Sequence, residues 1–172
     1  MQLCKNFTDF RVNERAFQLM EQVSGRAGRR ALQGKVIIQV SNTNHPVLQF
    51  VQHHDYNALY NFEIENRKRF FYPPFSRIIK ITCKHKEKNI AEESSNILSQ
   101  SLQYTYSQYI SGPAEPSINR VRNQYIYEIL LKLPKDAKFL QICKHFILQQ
   151  ITIIQSNKRY RNVTITPDVD AV

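Results

Sequence analysis

The chain has 172 residues, of which 42% are hydrophobic and 22% charged; that is enough for one ordinary domain or two small ones, and too few for an enzyme with two large lobes. Its 24 Lys+Arg against 14 Asp+Glu leave a formal charge of +10, a balance that suits a polyanionic partner, nucleic acid first. No apolar run reaches the roughly 18–20 residues of a bilayer span, and Met1-Gln2-Leu3-Cys4-Lys5-Asn6 opens no secretory leader, so the expected setting is the cytoplasm.

Along the chain, Ala16, Phe17, Leu19, Met20 and Val23 fall on one helical stripe, which predicts a helix over 13–24 terminated by Gly25. The β-branched run Lys35-Val36-Ile37-Ile38-Gln39-Val40 reads as a short buried strand. His45-Pro46 opens a helix to about His54, and Asp55 caps another that ends in Arg67-Lys68-Arg69, where positive charge suits the helix dipole. Tyr72-Pro73-Pro74-Phe75 breaks the helical pattern, because proline cannot continue the hydrogen-bond ladder. A domain boundary is placed there, with residues 1–72 before it, 73–75 as linker and 76–172 after it. Phe70, Phe71 and Phe75 cluster at this junction and are expected to be covered.

Beyond the boundary the pattern predicts a strand at 77–84, a helix at 88–106, strands at 109–121 and 124–133, a helix at 136–155 and a strand at 161–166. This β-α-β-β-α-β order is that of a ferredoxin-like α+β sandwich. Cys4, Cys83 and Cys143 are too far apart in sequence for a readable zinc site and fit no disulfide framework, so they are expected to be buried or idle thiols. His53-His54 has no third ligand nearby and reads as helix surface.

The string with most chemistry is Gln22-Val23-Ser24-Gly25-Arg26-Ala27-Gly28-Arg29. Glycines permit tight turning, and two guanidinium groups three residues apart can converge on one anion, the fixed positive charge that phosphoryl transfer needs. The bland alternative is a helix end with solvated arginines. Arg120 and Arg122, alternating along a strand, are expected to share a face, as are Tyr125 and Tyr127 on the next strand. Basic and aromatic side chains so placed can track phosphates and stack unpaired bases; the alternative for the tyrosines is core or sheet filler. Lys158-Arg159-Tyr160-Arg161 adds a compact basic stretch beside the last strand, suited to a phosphate backbone.

The glycine–arginine string resembles motif VI of superfamily 2 helicases. Together with Asp9-Phe10-Arg11, Gly34-Lys35-Val36-Ile37-Ile38-Gln39, Asn44-His45-Pro46, His54-Asp55-Tyr56, Pro73-Pro74-Phe75, Gly112-Pro113-Ala114 and Asp168-Val169-Asp170, it resembles, nearly end to end, the primosomal protein N′ (PriA) family of replication-restart helicases. The resemblance implies a fold class of α/β type, the end of a RecA-like second helicase lobe followed by a ferredoxin-like DNA-binding domain. It implies the C-terminal portion of an ATP-dependent DNA helicase that recognises branched DNA at stalled forks and restarts replication through primosome assembly, in a bacterial, nucleoid-associated setting. Arg26 and Arg29 then correspond to arginine fingers with Gln22 in support, and Arg120, Arg122, Tyr125, Lys158, Arg159 and Arg161 to the DNA-binding set. ATP and Mg²⁺ belong to the whole enzyme, and the family's zinc-binding cysteines would lie upstream of residue 1.

Partners implied are branched or single-stranded DNA and other primosome and single-strand-binding proteins, with no membrane. There is no G-x-x-x-x-G-K-[ST] loop, Gly34-Lys35 being followed by Val36, so the chain by itself is expected to bind DNA without hydrolysing ATP and to hold no cofactor or metal of its own. Tyr125-Ile126-Tyr127 stands where the family commonly has a basic residue, and Ala171 where it often has proline. A stand-alone RNA- or ribosome-associated basic module and a protein-docking module of the primosome remain as alternatives.

Overall fold

In the computed structural model, residues 9–27 and 35–170 are described. They fall into two compact units that divide between Phe70 and Phe71.

The first unit is helical: α1 (Val12–Ala27), α2 (Pro46–Gln52) and α3 (Tyr56–Arg69). Local chemistry explains two of its starts. Asp55 accepts the Ala58 N–H at 2.8 Å to cap α3, and His45 caps α2 with proline at its first position. The core is small, consisting of buried Phe17, Val47, Val51 and Leu59 with Met20 and Phe50 packed against them. Glu63 is buried as well and accepts a hydrogen bond from the Asn13 side-chain amide at 2.9 Å. Two expectations are corrected here. α1 runs through Gly25 to Ala27, so Gly25 does not end it. Lys35–Val40 forms no strand, and Ile37 is 94% exposed. A strand needs a neighbour for its N–H and C=O groups, and the described part of this unit contains only helices.

The second unit is a two-layer α+β sandwich. Its elements are β1 (Arg77–His85), α4 (Lys88–Tyr106), β2 (Ile110–Ala114), β3 (Arg120–Val121), β4 (Gln124–Leu133), α5 (Ala137–Ser156) and β5 (Thr164–Val169). The sheet is antiparallel with order β2-β4-β1-β5, and β3 also pairs with β4. The β-α-β-β-α-β succession read from residues 76–172 is therefore present, with one change. The strand expected over 109–121 is split into β2 and β3, because the register shifts between Ser111 and Ala114 and Pro116 lies within the stretch that follows. The peptide bonds Pro73–Pro74 and Gly112–Pro113 are cis.

Period-2 alternation sends Ile79, Ile81 and Cys83 of β1 and Tyr127, Ile129, Leu131 and Leu133 of β4 into one core. α4 contributes Ala91, Leu98 and Leu102, and α5 contributes Cys143, Ile147, Ile151 and Ile154. Small residues on the inner face of α4, Ser94, Ser95 and Ser99, are buried, and Ser99 donates to the Gly112 carbonyl at 3.1 Å. Asp136 caps α5 by accepting the Phe139 N–H at 2.6 Å. Burial pushes the Cys83 thiol up to about 12 and the Cys143 thiol up to about 11, which keeps both protonated and unreactive at neutral pH, as expected of idle thiols. Cys4 lies outside the described residues. Of the three junction phenylalanines expected to be covered, Phe75 is half-buried, whereas Phe70 and Phe71 are 54% and 38% exposed.

Candidate nucleic-acid interface

Strand direction gathers the basic side chains. β1 ends where β4 begins, since His85 pairs with Tyr125, and β5 begins beside the same end, since Lys84 pairs with Thr164. The β1–α4, β3–β4 and α5–β5 connections therefore lie at one end of the sheet. They bring together Lys84, Lys86 and Lys88 from the first, Arg120 and Arg122 from the second, and Lys158, Arg159 and Arg161 from the third. Glu87, Glu92, Glu93 and Glu115 are the carboxylates nearest these connections in the chain, so the end is net positive.

The β3–β4 connection is a two-residue hairpin turn, with Val121 pairing Gln124. Arg122 and Asn123 both have positive φ, 48° and 62°, the backbone of a turn whose twist matches antiparallel strands. Asparagine adopts this conformation readily; arginine does so at some cost. Arg122 is therefore in the turn, and the expectation that Arg120 and Arg122 alternate along one strand is corrected. Arg120 hydrogen-bonds the Asn123 side chain and lays its guanidinium over the Tyr125 ring, 4.9 Å from the centroid.

The two tyrosines sit at different depths. Tyr125 is half-buried and packs against the core, and Tyr127 is buried. Tyr127 donates its hydroxyl proton to Glu115 at 2.8 Å. Glu115 also pairs with Lys88 at 2.6 Å and accepts from Asn119 at 2.7 Å. The hydrogen bonds from Lys88, Asn119 and Tyr127 pull its carboxyl down to about 2, whereas burial followed by the Glu115 contact raises the Tyr127 phenol. Glu115 thus ties the loop between β2 and β3 to the start of α4.

The α5–β5 turn has a similar tie. Arg159 pairs with Glu93 of α4 at 2.7 Å, and Tyr160 donates to the same carboxylate at 3.1 Å. Arg161, expected at the start of the last strand, lies in this turn instead, because β5 begins at Thr164. Lys84, Lys86, Arg122, Lys158 and Arg161 form no ion pair with a described residue. The group Lys84-His85-Lys86 was not singled out in the sequence, although its run of basic side chains at the end of a predicted strand was the signal that could have found it.

In the helical unit, Gln22 and Arg26 are exposed on α1, with Arg26 in the last turn; Arg29 lies outside the described residues. No group of three metal-ligating side chains occurs among the described residues. Arg67 stands in the last turn of α3 with Lys68 and Arg69, as expected, and also pairs with Glu14 at 2.5 Å and stacks over Phe10, while His54 pairs with Glu21 at 2.9 Å. Among the described residues no helix is long and apolar enough to cross a membrane.

Residues 68–172 match the family model of the primosomal protein N C-terminal domain. Over 166 residues the chain is 34% identical to the replication restart protein PriA of Synechocystis sp., covering 94% of this chain and 19% of that protein. It is 35% identical over 141 residues to the protein of the same name from Treponema pallidum, 81% of this chain and 22% of that one. For the Haemophilus influenzae protein the identity is 33% over 167 residues, 94% of this chain and 22% of the relative. The chain spans about a fifth of the length of these relatives.

Proposed function

The chain belongs to the family of the primosomal protein N C-terminal domain, and from that premise we propose that it is the C-terminal portion of a PriA-type restart helicase whose second unit binds DNA at stalled forks. The gathering of three basic connections at one end of the sheet supports this reading more than any other observation. Phosphates supply most of the affinity of such a surface and impose salt dependence, without reading sequence. Arg120, Arg122, Lys158, Arg159 and Arg161 are the phosphate contacts, and Tyr125 acts by holding Arg120.

In a polypeptide that also carries a nucleotide-binding lobe, Arg26 and Arg29, with Gln22 in support, stabilise charge on the transferring phosphoryl group. The exposure of Arg26 at the end of α1 is compatible with that role. ATP and Mg²⁺ would be held by residues beyond this chain, and so would zinc. Residues 1–72 then represent the close of a RecA-like lobe, and the setting is the bacterial cytoplasm at the nucleoid, with primosome and single-strand-binding proteins as further partners.

The test is fluorescence anisotropy of the 172-residue chain on a labelled fork across a salt series. If three to five phosphates are neutralised, log K falls with log[salt] at a slope of roughly −2 to −4.5. A folded Arg120→Ala/Arg122→Ala/Arg159→Ala variant is expected to flatten that slope by two units or more, to within roughly 0.7–0.9 per lost contact. Salt-independent binding, or an unchanged slope in the variant, removes these residues from the site and favours protein docking.

A further inference from the structure

We infer that the basic end of the sheet grips the backbone of duplex DNA across a groove, with Lys84 and Lys86 of the β1–α4 connection as part of the grip. This rests on the DNA-binding reading above and names the form of DNA the surface fits.

Two observations lead to it. The first is width. The β3–β4 and α5–β5 turns flank β1 in the sheet, so their strands are two to three strand spacings apart, about 10–15 Å. That separation matches the scale of a B-DNA groove, about 6 Å for the minor and 12 Å for the major. Cations so far apart reach phosphates on two strands, and Lys84 and Lys86 stand between them at the end of β1. A single strand offers one line of phosphates and cannot fill both flanks at once unless it folds back.

The second observation is that the rings at this end are already engaged. Unpaired strands are held largely by stacking on aromatic faces. Here Tyr125 packs on the core beneath Arg120, Tyr127 is buried, and Tyr160 is half-buried against the core with its hydroxyl on Glu93. Among the described residues the most exposed ring of this unit is Tyr104, 95% accessible, but it lies near the C-terminal end of α4, the end of the helix away from the β1–α4 connection. What remains for a ligand is fixed positive charge, and the form of DNA with two phosphate lines uses most of it.

The experiment titrates the 172-residue chain, at one fixed salt concentration, against a labelled 20-base-pair blunt duplex of mixed sequence and against either strand alone. The expected result is duplex bound at least threefold more tightly than each strand. In a salt series on the duplex, Lys84→Ala/Lys86→Ala is expected to flatten the log K against log[salt] slope by roughly 1.5–2 units. Lys135→Ala/Lys138→Ala, placed at the start of α5 and so at the other end of the sheet, leaves it unchanged. Lys86→Ala alone, at an exposed position, gives the same test with less risk to the fold and an expected change of about one unit. Tighter binding of single strands, or slopes unchanged in both the double and the single variant, overturns this inference while DNA binding itself stands. Absence of binding to all three DNAs overturns the inference together with the reading beneath it.

Discussion

The two units solve the burial problem differently. In the sandwich, seventeen buried residues from the sheet, both helices and the α5–β5 connection form one core cluster, whereas the helical unit buries four in its cluster and leaves Val12, Leu19, Val23 and Ile37 at 52–94% exposure. A sheet covered on one face by two helices closes its own core. Three helices with an extended segment outside any sheet bury much less, although both units leave some apolar side chains in solvent, Ile142 and Ile153 on the outer face of α5 among them at 64% and 60%. The sandwich is thus the part whose function can be argued from its own residues.

Proteolysis breaks or sharpens this comparison most directly. Because the sandwich holds a complete set of strands and helices, limited digestion is expected to leave a resistant piece beginning near Ser76 while residues before it are cut, as read by mass spectrometry. Simultaneous loss of both units would erase the distinction. Next in size is the core itself. Ile129 is fully buried on the central strand β4, and Ile129→Ala is expected to destabilise the sandwich by about 2–5 kcal/mol in urea denaturation. The same truncation at exposed Ile37 is expected to change stability by less than about 0.5 kcal/mol.

A smaller effect belongs to the cap of α5. Replacing Asp136, whose carboxylate accepts the Phe139 N–H, by alanine is expected to cost about 1 kcal/mol, and Asp136→Asn to recover most of it. Equal losses in both variants would show that the cap bond is not the source. The smallest effect depends on pH. Since the Glu115 carboxyl is pulled down to about 2 by Lys88, Asn119 and Tyr127, its contribution is full above the ordinary carboxylate value near 4.5 and is lost as pH falls from there toward 2. The difference in melting temperature between the parent chain and Glu115→Gln should therefore shrink across that interval. A constant difference would assign the effect to the side chain's shape rather than its charge.

Much of the sandwich was legible in the sequence because its signals are local. Alternation in β1 and β4, the 3.6-residue stripe of α5 and the Asp136 cap are all visible within windows of a dozen residues. Most of the misreadings in the strands share one physical source, which is that pairing is not local. Lys35–Val40 has strand composition and no partner strand among the described residues. Arg122 sits two residues after Arg120, and only the register of Val121 with Gln124 shows that it belongs to a turn. Likewise Tyr125 and Tyr127 look like stacking platforms until the sheet's facing is known, and it turns them toward the helices. The convergence of Lys84 and Lys86 with Arg120 and Lys158, residues far apart in the chain, follows from strand order alone.

The central claim is that DNA is held by the end of the sheet where β1, β4 and β5 meet their connections. Backbone amide chemical-shift mapping of the isotopically labelled 172-residue chain, titrated with a forked duplex, tests it directly. The account predicts that the largest changes cluster at residues 84–88, 119–125 and 157–163, and diminish as salt is raised. Changes centred on the outer faces of α4 and α5 or on residues 35–48, with those three connections undisturbed, would contradict it.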